Sequence, residues 1–333
     1  MKAILATAPG NTDVLQLSDI PKPELPSPHH LRVKLAAAGV NPVDTKLRAK
    51  PAYHPDKLPA ILGCDGAGVV EAIGESVSRF KVGDGVFFCN GGLGDEPGNY
   101  AEYTTLHEDH CAASPANISL QEAAALPLVF ITAWESLVER AHLQAGQTVL
   151  IHAAAGGVGH IAVQLARHLG ARVAVTVGDE HKVKLTRDWG AEKIIRYKSQ
   201  DFVQSVMQWT DGRGVDVVYD TVGGDTFLRS LDAVRIGGKV VSILSTAMSI
   251  ADVQKARLRN LTLGYELMLT PQVMNDHAAR THQRELLERC AALVKNGDLR
   301  VHVSARFPLA QAAVAHCHIE AGGVIGKIVL TMD

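Results

Sequence analysis

The chain has 333 residues, about two domains by the usual size prior and enough to bury a hydrophobic core without staples. Hydrophobic residues make up 47% and charged residues 20%, which excludes a disordered or fibrous chain. Lys and Arg total 33 against 35 for Asp and Glu, a formal net charge of −2, so the balance carries no global footprint for nucleic acid or an anionic membrane. Five cysteines (Cys64, Cys89, Cys111, Cys290 and Cys317) are widely spread and never form C-x-x-C. That argues against a disulfide framework or a cysteine-built zinc module and for a reducing compartment. The opening Met-Lys-Ala-Ile-Leu-Ala is too short for a signal-peptide core, because Asn11, Thr12 and Asp13 follow closely. No run approaches the length of a membrane span. A soluble, cytoplasmic globular protein is expected.

The first third reads as β-rich. Lys2–Ala6, 31–36, 68–73, Gly85–Cys89 and 100–105 are short apolar stretches set among dense turn chemistry, including Pro21, Pro23, Pro26, Pro28 and the Gly91-Gly92-Leu93-Gly94 run. Such spacing suggests a barrel or sandwich-like module, and the proline stretch an extended connector. From about Leu120 the rhythm changes. Expected strands at 149–152, Arg172–Val177, Lys193–Arg196, Val215–Asp220 and 239–244 alternate with helices at 156–169, 180–189, 199–209 and 226–235. Strand–helix alternation with continuous apolar strands means a parallel sheet covered on both faces, a doubly wound α/β domain. After about Thr270 come a helix over 284–295, a strand at 301–303, a helix over 309–320 and a last strand at 325–330. Periodicity assigns this tail to neither module.

The most informative stretch is Val149-Leu150-Ile151-His152-Ala153-Ala154-Ala155-Gly156-Gly157-Val158-Gly159-His160, a strand, a small-residue turn and a helix start. A G-x-G-x-x-G turn uses small residues so that the backbone can approach a pyrophosphate. Here Ala154 replaces the first glycine, while Gly156 and Gly159 hold the other two positions. Unpaired N–H groups and the helix dipole would hold the phosphates, and the β-α-β setting is the one the motif requires. The second strand ends in Val177-Gly178 with no acid at its tip for a ribose 2′-hydroxyl. Lys182 could reach a 2′-phosphate and Tyr197 could donate to it. One charge-assisted bond contributes about 1.5–3 kcal/mol, roughly a ten- to hundredfold preference. Asp179 would repel that phosphate unless it points outward. The balance favours NADPH, with NADH as the alternative.

These residues resemble a medium-chain dehydrogenase/reductase, specifically the zinc-independent quinone oxidoreductase (zeta-crystallin-like) branch. The matching stretches are Ala38-Gly39-Val40-Asn41-Pro42-Val43-Asp44, Leu62-Gly63-Cys64-Asp65-Gly66-Ala67-Gly68-Val69-Val70, Val82-Gly83-Asp84-Gly85-Val86 and Gly98-Asn99-Tyr100-Ala101-Glu102-Tyr103. Ile131-Thr132-Ala133-Trp134, the 153–159 turn, Asp220-Thr221-Val222-Gly223-Gly224 and Gly326-Lys327-Ile328-Val329-Leu330 complete the set. The resemblance implies a GroES-like catalytic domain at 1–122, a Rossmann domain at 123–268, a segment 269–333 returning to the first, and a homodimer. Zinc alcohol dehydrogenases of the same superfamily hold catalytic zinc with Cys, His and Cys. At the corresponding positions this chain carries Asn41, Cys64 and Leu128, and one thiol cannot make a zinc site. The pairs His107 with His110, and His316 with His318 around Cys317, read as incidental, the second because its rings fall on different faces of a helix. No metal is expected.

Without zinc, nothing here strongly polarises an isolated alcohol. Hydride addition to a quinone or to the β-carbon of an enone or alkenal needs only one or two preorganised donors at the developing oxyanion, and accurate positioning. By resemblance Asn41 contacts the nicotinamide or substrate with Asp44 beside it, and Tyr53 in the following loop supplies a phenolic donor. Val129, Thr132, Ala155, Gly156, Gly157, Val158, Gly159, Thr176, Gly178, Lys182, Tyr197, Val222, Ile243, Leu244 and Lys327 are the expected cofactor residues. No Ser-His-Asp set, G-x-S-x-G, H-E-x-x-H or Walker loop occurs. Two rivals are a 2-enoyl-thioester reductase, with Arg257 and Arg259 as groove candidates, and a low-turnover dinucleotide-binding component. Near-neutral charge and 5% aromatics argue against a dedicated RNA binder.

Overall fold

The computed structural model describes every residue except Ala52, Pro55 and Asp333. The chain divides into two compact units, Met1–Ile131 with Leu269–Asp333, and Thr132–Met268. The division falls inside a helix, in a stretch from Leu120 to Arg140 for which strand–helix alternation gave no element.

In chain order the first unit contributes β1 (Lys2–Ala6), β2 (Leu15–Asp19), β3 (His30–Val40), α1 (Pro42–Ala49), β4 (Ala60–Ile61), β5 (Asp65–Ile73), β6 (Gly85–Cys89), β7 (Tyr103–His107), β8 (Ala112–Ala113), α2 (Leu120–Ala123) and α3 (Pro127–Trp134), the last running into the second unit. In the second unit a π-helical stretch, Glu135–Arg140, is followed by β9 (Thr148–Ile151), α4 (Gly157–His168), β10 (Arg172–Val177), α5 (Glu180–Asp188), β11 (Lys193–Arg196), α6 (Phe202–Trp209), β12 (Val215–Asp220), α7 (Gly224–Ala233), β13 (Val234–Ser242), α8 (Ile250–Leu258) and β14 (Thr262–Tyr265). The chain then closes the first unit with α9 (Thr270–Val273), α10 (His277–Asn296), β15 (Val303–Pro308), α11 (Ala312–Glu320) and β16 (Lys327–Thr331).

The first unit is built on a sheet ordered β15-β16-β3-β5-β6-β8, with β7 also on β3, and a small sheet β2-β1-β4. Along β3 the residues Leu31, Val33 and Leu35 alternate inward and pack with Val70, Val86, Phe88, Leu106 and Cys111, the period-2 pattern of a half-buried strand. The tail belongs here, because Ile328 to Thr331 pair antiparallel with Val40 to Ala37. α1 occupies a stretch for which the sequence reading gave no element. Proline suits the first helical position, and the Asn41 backbone N–H donates to the Asp44 carboxylate at 2.8 Å, which closes the helix start.

The second unit is a six-stranded sheet ordered β11-β10-β9-β12-β13-β14, every pair parallel. This is the doubly wound dinucleotide-binding order, reversing direction beside β9. Leu150, Ala174, Ile195, Val218 and Val240 from the strands pack with Phe202, Val206, Phe227 and Leu231 from α6 and α7. Burying one such side chain contributes about 1.5–3 kcal/mol, so the continuous apolar strands are the main source of this unit's stability. α7 stops at Ala233 rather than running to Arg235, because Val234 already pairs with Val215 and Arg235 closes on the Asp216 carboxylate at 2.7 Å.

Candidate active site

The second unit gathers the expected cofactor residues along one edge. Ala155 to Gly159, Gly178, Tyr197, Val222, Ile243 and Leu244 all follow the carboxyl ends of β9, β10, β11, β12 and β13, where open α/β sheets bind ligands. The left-handed residue of the first turn is Ala153 (φ 47), not Ala154, which stands at the first glycine position of the motif. Gly156 then begins α4 with extended backbone and no side-chain cap. A Cβ on Gly159 would lie 2.5 Å from the Ala153 carbonyl and 2.7 Å from Ala154 Cα, so only glycine lets the helix sit this close to the strand. The first N–H groups of α4 therefore face outward from a tight, side-chain-free corner, as phosphate binding requires.

That corner is braced from behind. The Ala153 N–H donates to Thr176 Oγ1 at 3.2 Å, and the Ala154 N–H to the Thr176 carbonyl at 3.2 Å. Thr176 is 3% exposed, so it holds the turn. His152, which sequence reading passed over, stands 3.1 Å from Thr176 Oγ1 by Nδ1 and 3.0 Å from Ser230 Oγ by Nε2. Ser230 gives its own proton to the Thr226 carbonyl, so His152 carries its hydrogen on Nε2 and accepts from Thr176. Burial holds this imidazole down at about 4, neutral throughout the physiological range. Asp220 shapes the fourth loop in the same way, accepting from the Val222 and Gly223 N–H groups at 3.0 Å and from Ser242 Oγ at 2.7 Å.

At the tip of β10 the opposition between Asp179 and Lys182 becomes an ion pair of 3.4 Å. Lys198, unnoticed in the sequence, approaches the same carboxylate at 2.9 Å, and Asp179 is held below its ordinary range chiefly by that bond. Arg196 pairs with Glu180 at 2.7 Å. Tyr197 packs over Gly178, its hydroxyl 3.1 Å from where a Cβ would stand. Lys182 and Lys198 thus flank Asp179, next in the chain to the bare Gly178 that Tyr197 covers. Arg259, by contrast, bonds the Val234 carbonyl at 2.6 Å, which ties it to its own sheet.

The first unit holds a second polar cluster, wholly buried. Asn41, between β3 and α1, is 1% exposed, Asp44 and Asp65 are 0% and Lys327 is 3%. Asn41 Nδ2 donates to Asp65 Oδ2 at 2.9 Å. The Lys327 ammonium donates to Asn41 Oδ1, to Asp65 Oδ2 at 3.3 Å and to the Val40 carbonyl at 3.2 Å. An ammonium has three N–H groups, and all three are used inside this unit, so Lys327 positions Asn41. Asp65 Oδ1 accepts from the Leu128 N–H at 2.8 Å. A fixed cation therefore touches Asn41, one of the three positions that correspond to zinc ligands in the alcohol dehydrogenases, and its partner Asp65 holds the backbone of a second, Leu128. The third, Cys64, is fully buried, and burial pushes its thiol well up.

A directed chain continues from Asp44. Tyr100 donates its hydroxyl to Asp44 Oδ2 at 3.0 Å and stands 3.1 Å from His316 Nε2, while Arg48 approaches His316 Nδ1 at 3.4 Å and pairs with Glu320 at 2.6 Å. The donors run one way, Arg48 to His316 to Tyr100 to Asp44. Burial, with the Arg48 charge, holds His316 down at about 4. Burial pushes the Asp44 carboxyl up to about 6, the nearby Asp65 charge adding to it, while the Asn41 N–H and Tyr100 hydroxyl pull it back. Asp44 Oδ1 is buried without a partner. His318 lies on the exposed face of α11, away from His316, as the spacing predicts. Tyr53 is half-buried in the loop between Ala52 and Pro55, which lie outside the described residues. Val129 and Thr132, both buried, are three apart on α3 and share a face of it.

Comparison with known proteins agrees with both units. An alcohol dehydrogenase GroES-like domain matches residues 27–116 and a zinc-binding dehydrogenase domain residues 189–330. A quinone oxidoreductase of Pseudomonas aeruginosa is 36% identical over 99% of both chains. A 2-haloacrylate reductase of a Burkholderia species is 36% identical over 92% of this chain and 91% of its own. The crystal structure of Escherichia coli quinone oxidoreductase complexed with NADPH superposes with a TM-score of 0.88 at 31% identity, covering 100% of both chains. The chain is an oxidoreductase and belongs to the quinone oxidoreductase branch of the medium-chain dehydrogenase/reductase superfamily.

Proposed function

We propose that this protein uses NADPH, without zinc, to reduce quinones or other conjugated enones and alkenals. The observation that carries the reading is the glycine corner at 156–159, where α4 starts without a side-chain cap and a Cβ on Gly159 would strike the Ala153 carbonyl, so the helix start packs tightly on its strand and stays bare of side chains. The residues fit a phosphorylated dinucleotide. The start of α4, at Ala155, Gly156, Gly157, Val158 and Gly159, holds the pyrophosphate. Lys182, Lys198 and Tyr197 receive the 2′-phosphate above Gly178, which displaces Asp179 from its two lysines. Thr176 braces the turn, and Thr132, Val222, Ile243 and Leu244 are this unit's candidates for the nicotinamide end, to which the family resemblance adds Val129.

When bound, the coenzyme supplies a hydride. The chain's own part is to place the acceptor and to meet the charge that develops on its oxygen. Asn41, locked by Lys327 and Asp65, keeps a second amide N–H for that contact, and Tyr53 offers a phenolic one. Preorganised donors of this kind cost no reorganisation during reaction. Asp44, titrating near 6, lies behind Asn41 and is its electrostatic neighbour. Both relatives suit an electron-poor double bond, since a quinone and a 2-haloacrylate each conjugate a C=C bond to a carbonyl or carboxyl carbon. Asn41, Cys64 and Leu128 offer one thiol and no imidazole, a poor donor set for catalytic zinc. All five cysteines are free, in keeping with a reducing cytoplasm, and no helix among the described residues is long and apolar enough to cross a membrane. The family resemblance supports a homodimer.

The test is consumption of NADPH and NADH, followed at the nicotinamide absorbance band, with a quinone, a free enone, the matching enoyl thioester and a simple alcohol. The proposal expects turnover of the quinone or the enone with NADPH preferred, and no oxidation of the alcohol. Bound NADPH that no conjugated acceptor consumes would refute it.

A further inference from the structure

We propose that His107, His110 and His277 form a binding site for one divalent transition-metal ion of the zinc type. The site lies apart from the glycine corner and the Asn41 cluster. A ligand nitrogen from each of the three lies within 4.8 Å of the others. His110 Nε2 and His277 Nδ1 are already 3.2 Å apart, and tetrahedral zinc needs its nitrogens about 3.4 Å apart. His107 ends β7, His110 ends the single turn that follows, and His277 opens α10, so two separate segments of one unit converge on the gap.

The surrounding groups hold the His277 ring ready to ligate. For His277 to present a lone pair at Nδ1, its proton must sit on Nε2. That nitrogen faces Asp109 Oδ2 at 3.3 Å, the carboxylate–histidine arrangement that orients metal ligands. The same carboxylate oxygen is 3.6 Å from His107 Nδ1, which without an ion accepts the Asp109 backbone N–H at 3.2 Å, a bond that ligation by His107 replaces. His29 and His30 pack their rings against His107 at 5.6 Å. Glu108 is committed elsewhere, accepting from the Ser78 and Arg79 N–H groups, and the nearby Arg280 charge is paired with Glu96 at 2.6 Å. Without an ion, the proton between His110 and His277 belongs to His110. With one, that proton moves to His110 Nδ1, and solvent or Asp109 completes the coordination. An all-imidazole set selects zinc, nickel or copper over magnesium or calcium. The sequence showed only the His107 and His110 pair, because His277 lies 167 residues beyond His110. The bound ion would clip the start of α10 to the end of β7.

The test is calorimetric titration of the dialysed, chelator-treated full chain with zinc chloride, and separately with nickel chloride, alongside a thermal melt. The proposal expects one saturable site and a raised melting midpoint in the parent. His277→Ala, at an exposed helix start, should weaken that site at least tenfold and abolish the midpoint rise, with the metal-free melt unchanged. Asp109→Asn should weaken it less, and His318→Ala, on another exposed helix, should leave it intact. No saturable binding, or equal binding in His277→Ala, would overturn the proposal. Failure here leaves NADPH turnover untouched, so the two readings stand or fall separately.

Discussion

Replacing Asp44 by Asn isolates the cost of keeping a carboxylate in the buried cluster. Its carboxyl rises from an ordinary 3.8 to about 6, so ionised Asp44 favours the unfolded chain. The raised value means its contribution to stability is fully present below pH 3.8 and is lost as pH rises through about 6. At 1.36 kcal/mol per pH unit the whole loss is about 3 kcal/mol. Because the unfolded carboxyl titrates first, about 1.4 kcal/mol of that loss falls between pH 5 and pH 8. Asn at 44 still accepts from the Asn41 N–H and the Tyr100 hydroxyl through one oxygen. It also places an amide N–H at the buried site of the unpartnered Oδ1, a cost of about 1–3 kcal/mol. That offset does not vary with pH, so it cancels when the variant-to-parent difference at pH 5 is subtracted from that at pH 8. Urea unfolding of Asp44→Asn and parent at several pH values should show the variant gaining about 1.4 kcal/mol relative to the parent over this range. A difference independent of pH, or of opposite sign, would refute the reasoning.

Tyr100→Phe removes the donor to Asp44 and the acceptor for His316, and should destabilise by about 1–3 kcal/mol at neutral pH, read as a shift in the urea midpoint. Lys182→Ala with Lys198→Ala should weaken NADPH binding roughly ten- to hundredfold while leaving NADH within about twofold; equal losses for both would remove the 2′-phosphate assignment. Gly159→Ala forces a Cβ to 2.5 Å from a carbonyl oxygen and should cost about 1–3 kcal/mol of stability, with coenzyme binding lost, as fluorescence titration would report. His152, held at about 4 against an ordinary 6.5, contributes stability that is present above pH 6.5 and is lost as pH falls to about 4. His152→Gln should flatten that acid limb, checked by melts from pH 7 to pH 4.

The legible parts of the sequence were those whose physics is local. Continuous apolar strands, Gly156 and Gly159 at a strand-to-helix corner, and Gly178 at a bare strand tip each announced a place on the parallel sheet. α1 was missed because Asn41-Pro42 reads as a turn until the Asp44 carboxylate caps the chain behind it. β14 and α8 lacked a strong periodic face; β14 forms because β13 offers an open edge, and α8 starts on the reciprocal cap of Ser249 with Asp252. The buried network was illegible for a different reason. Asp65, Tyr100, His316 and Lys327 come from four distant stretches, and no spacing rule predicts that Lys327 would give all three of its protons to Val40, Asn41 and Asp65. Lys198 was overlooked because an exposed lysine after a strand is ordinary until Asp179 is seen beside it.

Chelator-treated protein of verified zinc content, assayed for quinone-dependent NADPH oxidation in the parent and in His277→Ala, tests the central claim most directly. The account predicts undiminished turnover in both after the metal is removed. Turnover that disappears with the metal and returns with stoichiometric zinc, in both proteins, would contradict it.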